Sequence, residues 1–248
     1  MLSHNHIEKI KQQAFLGYPS NLYNICQVRP ITMGEILLPD SLYGAALDTL
    51  LLTEVDICKL IKEKTGKEPK IAEIKPLHYL LDSAAKDNSF LLELQKFFST
   101  FITEDILLLP DYKAVVVGSP KEKRLITNEN FSDFQDILRI QNVKKIKEPP
   151  PENESAIARE FRLKAEYRDS IKKKQQEKNG EVIEISELLE IATVYGIDCK
   201  NTTIYAFYKL LTRYRAREKW QQDIQMLCAG ADSTKIKTNY WAGSLKEK

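Results

Sequence analysis

The chain has 248 residues, 43% of them drawn from AVILMFWYC and 29% charged, the usage of an ordinary globular protein. With 37 Lys+Arg against 35 Asp+Glu the formal net charge is only +2, without the basic bias by which counterion release drives duplex binding. Apolar runs such as Leu50–Leu52 and Ile106–Leu109 fall far below the ~20 residues of a membrane span, and MLSHNHIEKIKQQ lacks the apolar core of a secretory signal. Collagen-like, disulfide-scaffold, transmembrane and wholly disordered classes are excluded, and no membrane partner is expected.

His4–Lys11 predicts a short helix, Gly17–Ser20 a turn, and Tyr23–Arg29 an extended piece. Thr32 and Glu35 have capping-box spacing, in which the hydroxyl accepts the N3 amide while the glutamate reaches back. Leu42–Leu52 predicts a helix. Thr53 opens the next, with acidic residues where the helix dipole favours them and Gly66 as its stop. Pro76 suits the first position of a helix through Ala85. Asn88–Ile102 presents a broad apolar face of Phe90, Leu91, Leu94, Phe97, Phe98 and Phe101.

The period then changes. Ile106–Leu109, Tyr112–Val117 and Arg124–Thr127 are short and rich in apolar residues, separated by Pro110-Asp111 and Gly118-Ser119-Pro120, which predicts a small β-hairpin or three-stranded patch at about 106–127. Asn128 is read as the cap of a helix carrying Phe131, Phe134, Ile137, Leu138 and Gln141. KKIKEPPPEN at 144–153 reads as a linker, because consecutive prolines donate no backbone hydrogen bonds and favour a stiff extended helix. Glu154–Lys178 predicts a charged helix with a thin apolar stripe that needs a partner surface. Ser186–Tyr195, stopped by Gly196, Thr202–Arg217 and Gln221–Cys228 predict three more helices. The chain is thus expected to be mainly α: a helical domain with a small hairpin over 1–143, a Pro-rich joint over 144–153, and a helical segment with a polar, aromatic tail over 154–248.

Little suggests catalysis. His4 and His6 lie near a terminus, and His78 sits beside Leu77, Tyr79 and Leu80, a packed imidazole rather than a base. No nucleophile elbow, HExxH, Walker, dinucleotide or EF-hand spacing occurs. Cys26, Cys58, Cys199 and Cys228 form no CxxC pair, offer no zinc set and are read as buried, reduced thiols. No enzyme, metal or cofactor is expected.

Two binding readings remain. Ser186–Tyr195, Gly196 and Thr202–Arg217 have helix–turn–helix-like punctuation, with Lys209, Arg213, Arg215, Arg217 and Lys219 on and after the second helix. A reader helix, however, presents polar residues at its first turn, whereas this one begins Thr202-Thr203-Ile204-Tyr205. Against that, Tyr205, Phe207, Tyr208, Tyr214 and Trp220, followed by Tyr240-Trp241, concentrate the aromatic anchors that protein interfaces favour. Tyr205, Tyr208, Tyr214, Trp220 and Trp241 are the expected partner-contact or packing positions. Tyr240-Trp241 is expected either to anchor on a partner or to fold back.

SELLEIATVYGI, TTIYAFYKLLTRYRAREKW and IQMLCAGADSTKIKTNYWAGSL follow the proline-bearing joint in order. This order resembles tail-assembly-chaperone and tail-morphogenesis proteins of bacteriophages of Gram-positive hosts. Thr203, Ile204, Tyr205, Phe207 and Tyr208 match a T-I-Y-x-F-Y segment, and Ala229–Ser233, Ile236, Lys237 and Trp241 match a following tail pattern. The resemblance covers roughly 125–245. It implies a non-catalytic helical adaptor that binds other tail proteins (tape measure, tail tube or baseplate subunits), works in the host cytoplasm and is open to oligomerisation and to retention in the virion. A structural component of the neck or baseplate is the neighbouring alternative, and a helix–turn–helix-like DNA-binding protein the more distant one.

Overall fold

The computed structural model describes residues 2–66, 74–119, 124–144, 185–231 and 240–242, with positions 155, 158, 161, 165 and 236. The Pro-rich joint and nearly all of the charged helix expected at 154–178 lie outside the described residues. The protein is mainly helical, with one two-stranded and one three-stranded antiparallel sheet. Helices α1 (His4–Leu16), α2 (Met33–Ile36), α3 (Tyr43–Leu50), α4 (Glu54–Thr65), α5 (Pro76–Lys86), α6 (Asn88–Phe101) and α7 (Asn128–Gln141) precede α8 (Ile185–Val194) and α9 (Ile204–Cys228).

Local chemistry sets the boundaries. The Thr32 and Thr53 capping boxes both form, with Glu35 and Asp56 closing them. Pro76 opens α5, and Gly66 ends α4 in the left-handed region at φ 70°. α7 is capped one residue earlier than expected: Thr127, not Asn128, is the cap, and Asn130 Oδ1 accepts its N–H at 2.9 Å. α1 runs on to Leu16 because Ile10 and Ala14 keep its inner face buried past Lys11.

The extended stretch after the Gly17 turn is a full hairpin. β1 (Ser20–Leu22) pairs with β2 (Cys26–Val28) through a turn in which Tyr23 and Asn24 take positive φ. The expected patch is three-stranded, β3 (Ile106–Leu109), β4 (Ala114–Val117) and β5 (Arg124–Ile126), in that spatial order. Its inner residues Ile106, Leu108, Val115, Val117 and Ile126 join the core. Leu107, Val116 and Leu125 pair across the opposite face, where the two leucines are 47% and 37% exposed.

α7 is the middle of the packing. Phe131 and Phe134 stack at 5.9 Å, and both meet Phe98 of α6. The helix also buries polar groups, and its glutamines donate across the core. Gln135 Nε2 donates to the carbonyls of Leu50 and Leu52 at 2.8 and 3.1 Å, and Gln141 Nε2 donates to Val28 O at 2.9 Å. A buried amide without such acceptors costs ~1–3 kcal/mol.

Described residues on both sides of 144–153 share one core cluster. Ala192, Ile204, Tyr205, Phe207 and Leu211 lie in the same cluster as the N-terminal residues. Thr203 Oγ1 donates to Ala14 O at 2.7 Å, the Ile204 N–H to Ile31 O at 3.0 Å, and the Met33 N–H to Thr202 O at 2.9 Å. A Cβ on Gly34 would stand 2.5 Å from the Lys200 carbonyl oxygen, backbone against backbone. One more correction concerns α9: the two helices expected at 202–217 and 221–228 are one continuous helix. Its Arg, Glu, Lys and Gln between Arg213 and Gln222 all favour helix, and only the inward apolar stripe stops there.

Arg29 joins this region. Its Nη1 meets Glu35 Oε1 at 2.6 Å and its Nε donates to Thr100 O. Burial pushes the Glu35 carboxyl up, but the Thr32 N–H and Arg29 outweigh it and hold the group below its ordinary value. A depressed pKa contributes stability above the unfolded-state value, and that contribution is lost as pH falls through the folded-state value. In urea titrations Glu35→Gln is therefore expected to be less stable than the parent at neutral pH, the gap closing as the pH drops below about 4.5. A gap constant with pH would contradict this.

Glycine substitutions give a second check. Gly34→Ala is expected to lose ~1–3 kcal/mol from the forced shift against Lys200. Gly44→Ala, at an exposed helical position with nothing within 4 Å, is expected to gain ~0.5–1 kcal/mol. Chemical denaturation of both variants reads the opposite signs.

Candidate binding surface

α9 divides in two. Its first two turns are core: Ile204, Ala206 and Phe207 are buried and Tyr205 is 8% exposed. Beyond Leu211 the helix continues outside the core cluster for roughly 25 Å. Tyr214 and Trp220 are half-buried there, while Ile224 and Met226 are 37% and 47% exposed.

The expected contact residues therefore separate. Tyr205 packs in the core, with Lys209 Nζ 5.5 Å from its ring, and is not a surface anchor. Tyr208 is half-buried against the core, edge-on to Phe207, and burial raises its hydroxyl pKa. Tyr214 stacks on Tyr195 at the end of α8 with ring centres 4.7 Å apart and planes 4° from parallel. The Tyr195 hydroxyl is bonded to Glu218, which raises its pKa.

Tyr240-Trp241 folds back onto α9. Arg213 Nη1 donates to the Trp241 carbonyl at 2.9 Å, Arg217 lies 5.9 Å from the Trp241 ring, and Tyr240 meets Trp220 edge-on at 5.8 Å. Between this segment and the helix lies an open groove of about 470 Å³ lined by Leu210, Arg213, Tyr214, Arg217, Trp241 and Ala242. Leu210, Arg213, Tyr214 and Arg217 are spaced 3, 1 and 3 apart, one stripe of the helix. Trp220 and Trp241 thus sit with Tyr214 around one surface, which the sequence signalled only as a local excess of rings.

The arrangement does not suit a helix–turn–helix reader. Residues 195–203 separate α8 from α9, and the first turn of α9, which would face base edges, is buried.

Among the described residues, no group of three or more His, Cys, Asp or Glu converges to hold a metal. His78 is half-buried, its pKa lowered by burial and by Lys75 and Lys113. A smaller polar hollow of about 210 Å³ is lined by Asn21, Asn24, Cys26, Gln27, Glu104 and Arg124. Burial there, reinforced by Glu104, pushes the Cys26 thiol up to about 12, so it is not a thiolate nucleophile at neutral pH. The expectation of four buried thiols needs correcting: Cys26 and Cys58 are buried, Cys199 is half-buried and Cys228, on the outward end of α9, is exposed. In timed alkylation with iodoacetamide and peptide mapping, Cys228 is expected to react first, and Cys26 only after unfolding. Early labelling of Cys26 would contradict its packing.

No helix among the described residues is long and apolar enough to cross a membrane. No family model matches the chain, and neither a curated protein nor a solved structure matches it.

Proposed function

We propose that this protein is a non-catalytic adaptor that works by protein–protein contact through the outer half of α9 and the Tyr240–Ala242 segment folded against it. The observation that carries this reading is the change of environment along one helix. The first turns are committed to the core, and the remainder holds Tyr214, Trp220 and Trp241 only half-buried beside exposed Ile224 and Met226. Aromatic residues that stay partly solvated around an open groove are the side chains that become anchors when a partner excludes water from them.

The more specific role follows the resemblance of residues 125–245: assembly of a phage tail or baseplate, with a tape-measure, tail-tube or baseplate subunit as partner, in the host cytoplasm or within the particle. A specific interface of this kind buries about 1,600 Å² in total. Co-expression of the tagged protein with tail proteins encoded beside it, followed by pull-down, is expected to recover at least one of them. Trp220→Ala is expected to reduce that recovery severalfold while the helical circular-dichroism signal is retained. Recovery of no tail protein, or equal recovery by the variant, would sink the proposal.

A further inference from the structure

The chemistry of the partner is legible in the charge pattern of α9, and this inference rests on the adaptor reading above. The whole chain is nearly neutral, but α9 carries Lys209, Arg213, Arg215, Arg217 and Lys219 against only Glu218 and Asp223. Neither carboxylate is among the groove's described lining residues. Glu218 is bonded to the Tyr195 hydroxyl and Asp223 is buried. The groove thus combines the Arg217 guanidinium, beside an Arg213 already bonded to the Trp241 carbonyl, with an apolar floor and wall of Leu210, Tyr214, Trp241 and Ala242.

We infer that the groove takes an acidic, leucine- or aromatic-bearing segment of another polypeptide. Its carboxylates would meet Arg217 and its apolar side chains would sit against Tyr214 and Trp241. Guanidinium groups favour planar carboxylates, and complementary charge sets both register and encounter rate. A single-stranded nucleic acid offers the same sign of charge but needs open ring faces for stacking. One face of Tyr214 is taken by Tyr195, and Arg217 sits over Trp241, so the peptide is the better fit.

Arg217 and Arg215 provide an internal control. Both are exposed, and Arg217 lines the groove while Arg215, two residues away and so on the opposite side of the helix, does not. The probe is a fluorescein-labelled peptide of alternating glutamate and leucine, compared by anisotropy with glutamine–leucine and lysine–leucine counterparts and with labelled oligothymidylate, using the full chain. The glutamate peptide is expected to bind roughly tenfold more tightly than the glutamine peptide at low salt, and the difference to shrink as salt screens it. Arg217→Gln is expected to weaken that binding roughly fivefold, the scale of a surface charge pair, and Arg215→Gln to leave it unchanged. No binding of the glutamate peptide, equal binding of the glutamine peptide, or equal losses in both arginine variants would overturn the inference. Tighter, Arg217-dependent binding of oligothymidylate would replace it with a nucleic-acid site. Trp220-dependent recovery of a tail protein without any preference for acidic peptide would remove this inference and leave the adaptor reading standing, whereas acidic-peptide binding with no tail protein recovered would do the reverse.

Discussion

Thr203 holds the molecule together at the place where α1 meets α9. Its hydroxyl donates to Ala14 O and accepts from the Ala206 N–H, so a single side chain anchors the end of α1 and caps α9. The flanking Thr202 carbonyl and Ile204 amide extend the contact into an isolated antiparallel bridge with Ile31–Met33. These bonds satisfy backbone groups that burial would otherwise leave costly. They also fix the axis of α9, so that Ile204, Phe207 and Leu211 complete the core and everything past Leu211 leaves it. The proposed binding surface is where it is because of that anchoring.

α7 is the second constraint. It is buried on nearly every side, yet it carries Asp133, Gln135, Arg139 and Gln141. Tyr23 donates to Asp133 at 2.9 Å, Arg139 pairs with Asp136, and the two glutamines reach carbonyls on α3 and β2. Such groups add less net stability than apolar packing. They narrow the arrangements in which the helix can sit, because any shift leaves a buried donor without its acceptor.

Much of the local architecture was legible. Thr32, Thr53, Gly66, Pro76 and Gly196 mark boundaries through bonds or dihedral limits that involve only their near neighbours, and the mainly helical class and the strands near 106–126 follow from period alone. Features decided at long range were not. The β1–β2 turn uses Tyr23 and Asn24 rather than glycine, so its sequence looks merely extended. α9 reads as two helices because the apolar stripe ends where the core ends, although the backbone continues. Nothing local says that Gln135 will find the end of α3. For the proposed surface, the aromatic excess was visible, but which rings are internal was not: Tyr205 and Trp220 look alike in sequence and differ only because Leu211 is the last residue to reach the core.

The hydrogen bond from Thr203 to Ala14 spans 189 positions. During synthesis the ribosome must therefore deliver all 189 of those further residues before α1 can receive this contact. Until then the nascent chain carries an unfinished hydrophobic face at Ile10, Ala14 and Met33, the kind of transient exposure that draws chaperones. A product ending before Leu211 would keep that face permanently, which makes α9 a check on completeness as well as a structural element.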